Sequence, residues 1–335
     1  MSTTTTRWAI GGVLAVFCLI AVAFPGGETG GDDGPYPDRR VQIMAPADPG
    51  GGWDSTARAL QATIRSAYPK GPGAEVYNVG GAGGTLGLSQ LVSKDAGDPY
   101  QLMVMGLVML GAIETNRSPN TIDDVVPIAT LTTETEAIVV PAKSPLKTLD
   151  DLVAKLKQDP SSISWAGGSA GGTDQLLVGE LARTIGADPR RTKYIAHSGG
   201  GEANTAILSG AVDVGVSGIG EFTSQLEAGK MRLLAVSSPT TTKVKGTQVR
   251  TLKEQGVDLE LTNWRGIVAP PGIDDEERKK ITAWVSGVLK TPAWQENLKR
   301  FEWTPFVRTG PALDAFVDSE QRRVKQVVRD LGLGE

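Results

Sequence analysis

Four glycine-rich segments contain the residue types best suited to hold an anion. They are Pro46–Asp54, Asn78–Thr85, Gly167–Asp174 and His197–Glu202, and a helical pattern follows each of them. Missing side chains let the backbone approach a ligand, and the helix that follows directs free N–H groups and a partial positive charge toward it. Any one segment is typical of a tight turn. All four together predict an anion clamp built from backbone amides and hydroxyls.

The sequence offers little for catalysis. Its single histidine, His197, and its single cysteine, Cys18, exclude a zinc site made only from Cys and His ligands of this chain. His197 is the only histidine available as a base for a nucleophile, and a single histidine at a strand end is more often a hydrogen-bonding residue. An α/β enzyme that uses His197 is therefore the weaker alternative.

The glycine segments depart from nucleotide-binding motifs. In Gly81–Leu86 a leucine stands where G-x-G-x-x-G needs its third glycine, and no G-x-x-x-x-G-K-[ST] motif occurs. None of the four segments contains a lysine. Lys and Arg number 34 against 38 Asp and Glu, a net charge of -4 without a basic tract, so nucleic acid is not expected as a partner. No cofactor is predicted either.

The elements that must position these segments alternate between strand and helix. Apolar runs such as Val41–Met44 predict strands, and segments such as Ser55–Tyr68 show the apolar spacing of helices. The series restarts after Pro141, which predicts two α/β lobes, each a mainly parallel sheet flanked by helices. The turns after the strands of such sheets are where ligands bind. The glycine segments are expected at those turns.

The last part of the chain predicts a return to the first lobe. After Trp264 the pattern indicates one strand, Gly266–Val268, and three amphipathic helices, the third over Pro311–Leu331. We expect these helices to pack on the first lobe and make it discontinuous. Lobe 1 is then predicted over 38–138 plus 263–335, and lobe 2 over 139–262.

The first residues predict export. Arg7 precedes an uncharged run, Trp8–Phe24, that is shorter than the ~20 residues of a membrane span. Ala21–Ala23 supply the small residues that signal peptidase needs. We predict a signal peptide or membrane anchor over 1–24, a flexible tether over 25–37, and an exported periplasmic or cell-surface protein. Cys18 lies inside the targeting segment.

These motifs resemble those of the TctC/Bug family, the extracytoplasmic solute receptors of tripartite tricarboxylate transporters. Pro46–Asp54 is similar to P-F-x-x-G-G-x-x-D, and Asn78–Gly87 matches N-x-x-G-A-G-G-x-x-G. Gly168–Thr173 resembles G-S-x-G-x-G-S/T with one glycine shifted. His197–Ala203 and Leu208–Asp213 are similar to Y-K-G-G-x-P-A followed by L-x-G-x-V-D. The resemblance extends over the folded part of the chain.

Four residues depart from the family pattern. His197 and Ser198 stand where the family often has Tyr and Lys, Glu202 replaces Pro, and Asp48 adds an acid to the first loop. Acids near a carboxylate clamp are repulsive unless they are paired. These departures disfavour a tricarboxylate, and they leave room for a smaller acid or for one that carries an amine. The alternative, which is favoured for each of the two acids, is that Asp48 and Glu202 face solvent.

The resemblance implies a two-lobed Venus flytrap of the type II periplasmic-binding-protein class. It implies a monomeric receptor, without catalysis, cofactor or metal, that captures a small di- or tricarboxylate-type acid. The receptor would deliver this acid to the large and small membrane permease subunits of a tripartite tricarboxylate transporter. A stand-alone receptor that feeds a signalling protein is the alternative.

The resemblance also implies the ligand-binding residues, which belong to the four glycine segments. They are Gly50, Gly51, Gly52, Trp53, Asn78, Gly83, Ser169, Gly172, Thr173, His197, Ser198 and Gly199. From the residues themselves, we expect Asp54 to cap the first helix with Arg58 as its partner four residues on. If the lobes close on a ligand, Trp53 and Trp165 should change environment.

Overall fold

The computed structural model describes residues 36–197, 200–239, 241–244 and 247–334. The predicted signal or anchor, most of the predicted tether, and Ser198 and Gly199 lie outside the described residues. Within the described ranges, no helix combines the length and the apolar character that crossing a membrane requires.

The first half of the chain alternates short strands and helices and ends in one long strand. Its elements are β1 (Val41–Ala45), α1 (Gly52–Ala67), β2 (Ala74–Asn78), α2 (Thr85–Ser93), β3 (Gln101–Gly106), α3 (Leu107–Thr115) and β4 (Val126–Pro141). The strand expected over Val41–Met44 and the helix expected over Ser55–Tyr68 are confirmed, with ends that differ by up to three residues.

The middle of the chain repeats the alternation. Its elements are α4 (Leu149–Gln158), β5 (Ser164–Gly167), α5 (Thr173–Thr184), β6 (Lys193–Ala196), α6 (Gly200–Leu208), β7 (Val214–Gly218), α7 (Ile219–Glu227) and β8 (Met231–Val236). The remaining elements are β9 (Thr242–Val244), β10 (Thr247–Val249), β11 (Thr262–Ala269), α8 (Asp275–Leu289), α9 (Pro292–Arg300), β12 (Thr304–Pro305) and α10 (Gly310–Asp330). The three expected C-terminal helices are therefore present.

The strands form one mixed sheet with parallel ends and an antiparallel middle. The order is β2-β1-β3-β11-β4-β7-β5-β6, and β8 and β12 also pair with β4. Pairs among β1, β2 and β3 and among β5, β6 and β7 are parallel, whereas β11 and β4 are antiparallel to their neighbours. Strand β4 joins the two sets, because Val126–Thr135 pairs with β11 and Glu136–Pro141 pairs with β7 and β8.

The sequence pattern did not indicate α3 or β4. Helix α3 is almost wholly apolar and follows the apolar β3 directly, so no change in periodicity marks the boundary. Strand β4 places Thr130 and Thr132 at fully buried positions. The backbone N–H of Arg308 donates to Thr130 Oγ1 at 2.8 Å, and Thr132 Oγ1 donates to the Thr304 carbonyl at 2.9 Å. Because both hydroxyls are hydrogen-bonded, their burial costs little free energy, although the threonines make the segment look polar in the sequence.

Helix α10 contacts elements of both strand sets. It packs on α3 and β4 and also on α5. Arg323 of α10 forms an ion pair with the buried Glu180 of α5 at 2.7 Å. Near the end of α10, Leu331 lies so close to Gly179 that a Cβ there would be 2.7 Å from it. The last helix therefore links the two halves of the sheet at the side formed by α3 and α5.

Candidate ligand-binding cleft

A cleft of about 590 Å³ lies where the glycine-rich loops of the two strand sets face each other. Its walls come from the loops before α1, α2, α5 and α7, with contributions from β4 and β11. The lining residues are Pro46, Ala47, Asp48, Pro49, Gly51, Gly52, Trp53, Gly81, Ala82, Gly83, Gly84, Val108, Glu134, Gly168, Ser169, Gly172, Thr173, Asp174, Ser217, Gly218, Glu221, Asn263 and Arg265.

Four helices begin at the cleft, and each begins after a glycine. Gly51, Gly84, Gly172 and Gly218 are the N-cap residues of α1, α2, α5 and α7, and none of them supplies a side-chain cap. By contrast, Thr148 caps α4, which does not line this cleft, through its hydroxyl. The first turn of a helix has N–H groups without intrahelical partners. The cleft therefore gathers four uncapped helix N-termini, each with a partial positive charge.

Asp54 holds the first loop but is not the N-cap of α1. The helix begins two residues earlier, so Gly51 occupies the cap position and the expectation for Asp54 is wrong. The Asp54 carboxylate instead accepts a hydrogen bond from the Gly50 N–H at 2.9 Å. The expected pair with Arg58 is confirmed at 2.9 Å. Burial acts to raise the pKa of Asp54, but hydrogen bonds from Arg58, Gly50 and Asn78 outweigh it and keep that pKa below its usual value.

Asn78 positions the same loop and does not line the cleft. Its Nδ2 donates to the Ala47 carbonyl at 3.0 Å and to Asp54 Oδ1 at 2.9 Å, and its Oδ1 accepts from Arg58 at 3.2 Å. These bonds tie the end of β2 to the loop before α1. The side chain is therefore already bound on several sides by this chain, which indicates a positioning role.

In the cleft wall, the backbone of Gly84 lies directly against the ring of Trp53. Gly84 has a φ of +91°, and a Cβ there would lie 2.7 Å from the Trp53 ring. Both the left-handed backbone and the ring demand a glycine. Trp53 lines the cleft with 8% of its surface exposed, whereas Trp165 is fully buried in the core. Of the two tryptophans expected to respond to a ligand, only Trp53 lies at the cleft.

The structure brings together most of the predicted ligand-binding residues. Those that line the cleft are Gly51, Gly52, Trp53, Gly83, Ser169, Gly172 and Thr173. Gly50 lines an adjoining cavity of about 490 Å³ instead. His197 lines neither cavity, and its backbone N–H donates to the Gly167 carbonyl at 3.0 Å. Ser198 and Gly199 lie outside the described residues.

Sequence reasoning noted Asp48, which lines the cleft, but missed the other charged residues of the cleft. Arg265 of β11 forms an ion pair with Glu134 of β4 at 2.6 Å, and both side chains line the two cavities. The guanidinium also lies against the start of α1, since a Cβ at Gly52 would be 2.6 Å from Arg265 Nη2. Asp174 and Glu221, in the first turns of α5 and α7, complete the charged lining.

The signals for these residues differ. Asp174 stands inside the third glycine segment and in the first turn of α5, as Asp54 is in the first turn of α1, so the sequence contained a hint. It accepts from the Gly168 N–H at 2.6 Å, as Asp54 does from Gly50. Glu134 and Arg265 meet only through the pairing of β4 with β11. No local sequence pattern predicts the contact between Glu134 and Arg265.

Three carboxyl groups in or beside the cleft wall, those of Glu136, Asp174 and Glu221, have raised pKa values. Burial raises the pKa of Glu136 well above its usual value, and the charges of Asp174 and Glu134 raise it further. Burial raises the pKa of Asp174 to about 6, although the hydrogen bond from Gly168 opposes the shift. The surrounding cleft wall, and then the charges of Asp174 and Glu134, raise the pKa of Glu221 to about 7.

These three carboxyls are expected to make the protein less stable as the pH rises from about 5 to about 8. Each pKa is raised in the folded protein, so the folded state binds more protons than the unfolded state over this range. Glu136→Gln preserves the shape of the protonated carboxyl. The variant should therefore be more stable than the wild type at about pH 8 and lose that advantage at about pH 5. Urea denaturation at both pH values measures the difference, and an equal difference at both contradicts the assignment.

Comparison with known proteins identifies the family. The family described as "Tripartite tricarboxylate transporter family receptor", TctC, matches residues 58–333. This chain belongs to the TctC receptor family. Its family and its structural neighbours are solute-binding receptors and not enzymes, so the predicted resemblance is confirmed and the alternative of an enzyme that uses His197 is set aside.

Relatives of this TctC receptor cover nearly its whole length. Protein BugT of Bordetella pertussis is 27% identical over 303 residues, which are 89% of this chain and 90% of BugT. The structure of MatC from Rhodopseudomonas palustris with bound malate is 23% identical, with a TM-score of 0.69 over 90% of this chain and 100% of MatC. The R. palustris protein Rpa4515 with adipate is 20% identical, with a TM-score of 0.74 over 89% of this chain and 99% of that chain. These structures share the fold of the TctC receptor.

Proposed function

We propose that this TctC receptor binds a small organic carboxylate in the cleft and delivers it, outside the cytoplasm, to the permease subunits of a tripartite tricarboxylate transporter. The observation that carries the proposal is the convergence of four uncapped helix N-termini on one cleft. A carboxylate supplies the acceptor oxygens and the negative charge that these N-termini favour.

The two lobes of the proposed flytrap are residues 38–138 with 263–335, and residues 139–262. The cleft lies between loops of both, and the pairing of β4 changes from β11 to β7 and β8 close to the proposed boundary. Ligand contacts from both lobes would favour a closed state, because a ligand shifts the equilibrium toward the state it contacts better.

The titles of two structural neighbours suggest the first acids to test. MatC was solved with malate and Rpa4515 with adipate, and both ligands are dicarboxylates. We propose that one carboxylate of such an acid lies on the backbone of Gly51–Trp53 and Gly83. Ser169 and Thr173 would approach it from the other lobe.

Isothermal titration calorimetry and native mass spectrometry test the proposal together. The purified receptor should retain an acid in native mass spectra, and after exchange it should bind malate, adipate or a related acid. A small acid that binds at a one-to-one ratio supports a receptor. A protein that releases no acid and binds none of a broad panel of carboxylates contradicts the proposal.

Thr173→Val is expected to weaken acid binding by about tenfold or more, without loss of stability. Thr173 lines the cleft at 2% exposure, and within the described chain its hydroxyl has no hydrogen-bond partner. Valine keeps the shape, so the folded state loses no bond, whereas a hydrogen bond to a charged ligand contributes about 1.5–3 kcal/mol. Calorimetry measures the affinity and urea denaturation the stability.

The matched control is Thr63→Val in α1. Thr63 is also fully buried, but its hydroxyl donates to the Ala59 carbonyl at 2.7 Å and accepts from Asn297 at 3.0 Å. This variant should lose stability and keep its affinity. Equal affinities of the wild type and Thr173→Val would place the ligand away from the second lobe's hydroxyl.

A further inference from the structure

The cleft carries more negative than positive charge on one wall. Glu134, Asp174 and Glu221 line it, and Glu136 lies fully buried beside Asp174. Arg265 is the cation of this group, and one of its nitrogens already pairs with Glu134. A ligand that carries only carboxylates would meet repulsion here, because like charges disfavour each other at short range.

Two buried polar groups at this wall lack partners. Glu136 is 0% exposed and Arg265 is 5% exposed. Within the described part of the chain, both carboxyl oxygens of Glu136 and the Nη1 of Arg265 lack a hydrogen-bond partner. Two ionised carboxylates cannot bond each other, so the neighbouring Asp174 could become a partner of Glu136 only if one of the two carried a proton. Unpaired buried polar groups are costly and usually have an explanation. For Arg265, which lines the cleft, a ligand group that accepts a hydrogen bond is such an explanation, whereas Glu136 lies behind the lining.

Asp54 in the first lobe and Asp174 in the second lobe have different charged neighbours. Asp54 and Asp174, in the first turns of α1 and α5, each accept a bond from a glycine N–H in the loop before their helix. Arg58 neutralises Asp54 from the same helix, at 2.9 Å. Asp174 has carboxyls as neighbours instead, since Glu136 and Glu134 both act on it. Among the described residues, no cation bonds Asp174 as Arg58 bonds Asp54, because the Arg265 that lines the same cleft pairs with Glu134.

We propose that the ligand carries an ammonium group in addition to its carboxylate, and that Glu221, Asp174 and Glu134 form the subsite for this ammonium. The inference rests on the proposed function, because the ligand's carboxylate is assigned to the helix N-termini of α1 and α2. An ammonium has three donors and suits several carboxyl oxygens around one point. Among the described residues, no group of three or more His, Cys, Asp or Glu is arranged to hold a metal ion.

Glu221 is the residue through which the subsite is best tested. It is exposed to solvent at the cleft, so its substitution leaves no buried charge unpaired. Asp174 and Glu134, by contrast, bond to Gly168 and Arg265 and also hold the structure. Glu221→Gln removes one charge and keeps the shape of the side chain.

The experiment compares acids that differ only by an amine. Succinate against aspartate, and adipate against α-aminoadipate, are titrated into the wild type by calorimetry at about pH 8, where the Glu221 carboxyl is ionised. The amine-bearing acid of at least one pair should bind about tenfold or more tightly than its amine-free partner. In Glu221→Gln this preference should fall severalfold, while the affinity for the amine-free acid is unchanged or higher.

The matched control is Glu227→Gln, which makes the same charge change on the same helix but borders only the adjoining cavity. It should keep the preference. Two results would contradict the ammonium subsite: amine-free acids that bind as tightly as their amine-bearing partners, or a Glu221→Gln variant that binds both acids equally more weakly. Neither result would contradict the proposed carboxylate receptor. If no acid of either kind binds but a straight-chain diamine does, the proposed carboxylate function is overturned instead.

Discussion

Replacing Arg265 with leucine is expected to destabilise the protein by about 3–5 kcal/mol, the cost of removing one partner from a buried ion pair. The guanidinium is 5% exposed and lies 2.6 Å from Glu134. Without it, Glu134 would face the other carboxyls of the cleft wall with no cation beside it. The loss should therefore exceed that of an ordinary surface ion pair.

Urea denaturation of the wild type and Arg265→Leu measures this cost. The matched control is Arg40→Leu, because Arg40 pairs with Glu75 at 3.5 Å with both side chains more than half exposed. Exposed pairs contribute about 0–1 kcal/mol, so the control should change little. A double variant, Arg265→Leu with Glu134→Leu, should recover part of the loss, since it leaves no unpaired charge. Equal stabilities of Arg265→Leu and Arg40→Leu would show that the Arg265–Glu134 ion pair does not stabilise the cleft wall.

Gly51→Val is expected to weaken acid binding by a factor on the order of 100 while the fold persists, because a β-branched side chain would cover the N–H groups at the start of α1. Gly51 has φ of -76° and ψ of 175°, an extended conformation that valine adopts readily. A Cβ at this position would have only the Asp48 carbonyl oxygen within 4 Å, at 3.7 Å. The substitution therefore fits the folded chain and acts on the ligand.

Two variants make the test of Gly51→Val specific. Gly51→Ala adds a smaller group at the same site and should weaken binding less. Thr148→Ala removes the hydroxyl cap of α4, outside the cleft, and should cost about 1 kcal/mol of stability without loss of affinity. Calorimetry with an acid that the wild type binds, together with thermal unfolding, separates the effects. Unchanged affinity of Gly51→Val would mean that the first glycine loop is only a turn.

Local patterns in the chain predicted most of the elements and the family. The strand at Val41–Ala45, the helix that follows the first glycine segment and the three C-terminal helices all follow from apolar spacing, which depends on neighbouring residues alone. The glycines before helices were visible for the same reason. One of the converging loops, that of Gly218, was not among the four predicted segments, although Gly215, Gly218 and Gly220 stand close together in the sequence.

The tertiary structure decided which polar side chains meet. Asn78 stands in a family motif, but the fold turns its side chain toward Asp54, where it braces the first loop. Glu134 and Arg265 are 131 residues apart and come together because β4 and β11 pair antiparallel in the middle of the sheet. Strand pairing and register depend on the packing of the whole core, and local periodicity does not contain them. The sequence by itself therefore determined an α/β receptor with glycine-lined helix starts, and only the folded chain determined the charge of its cleft.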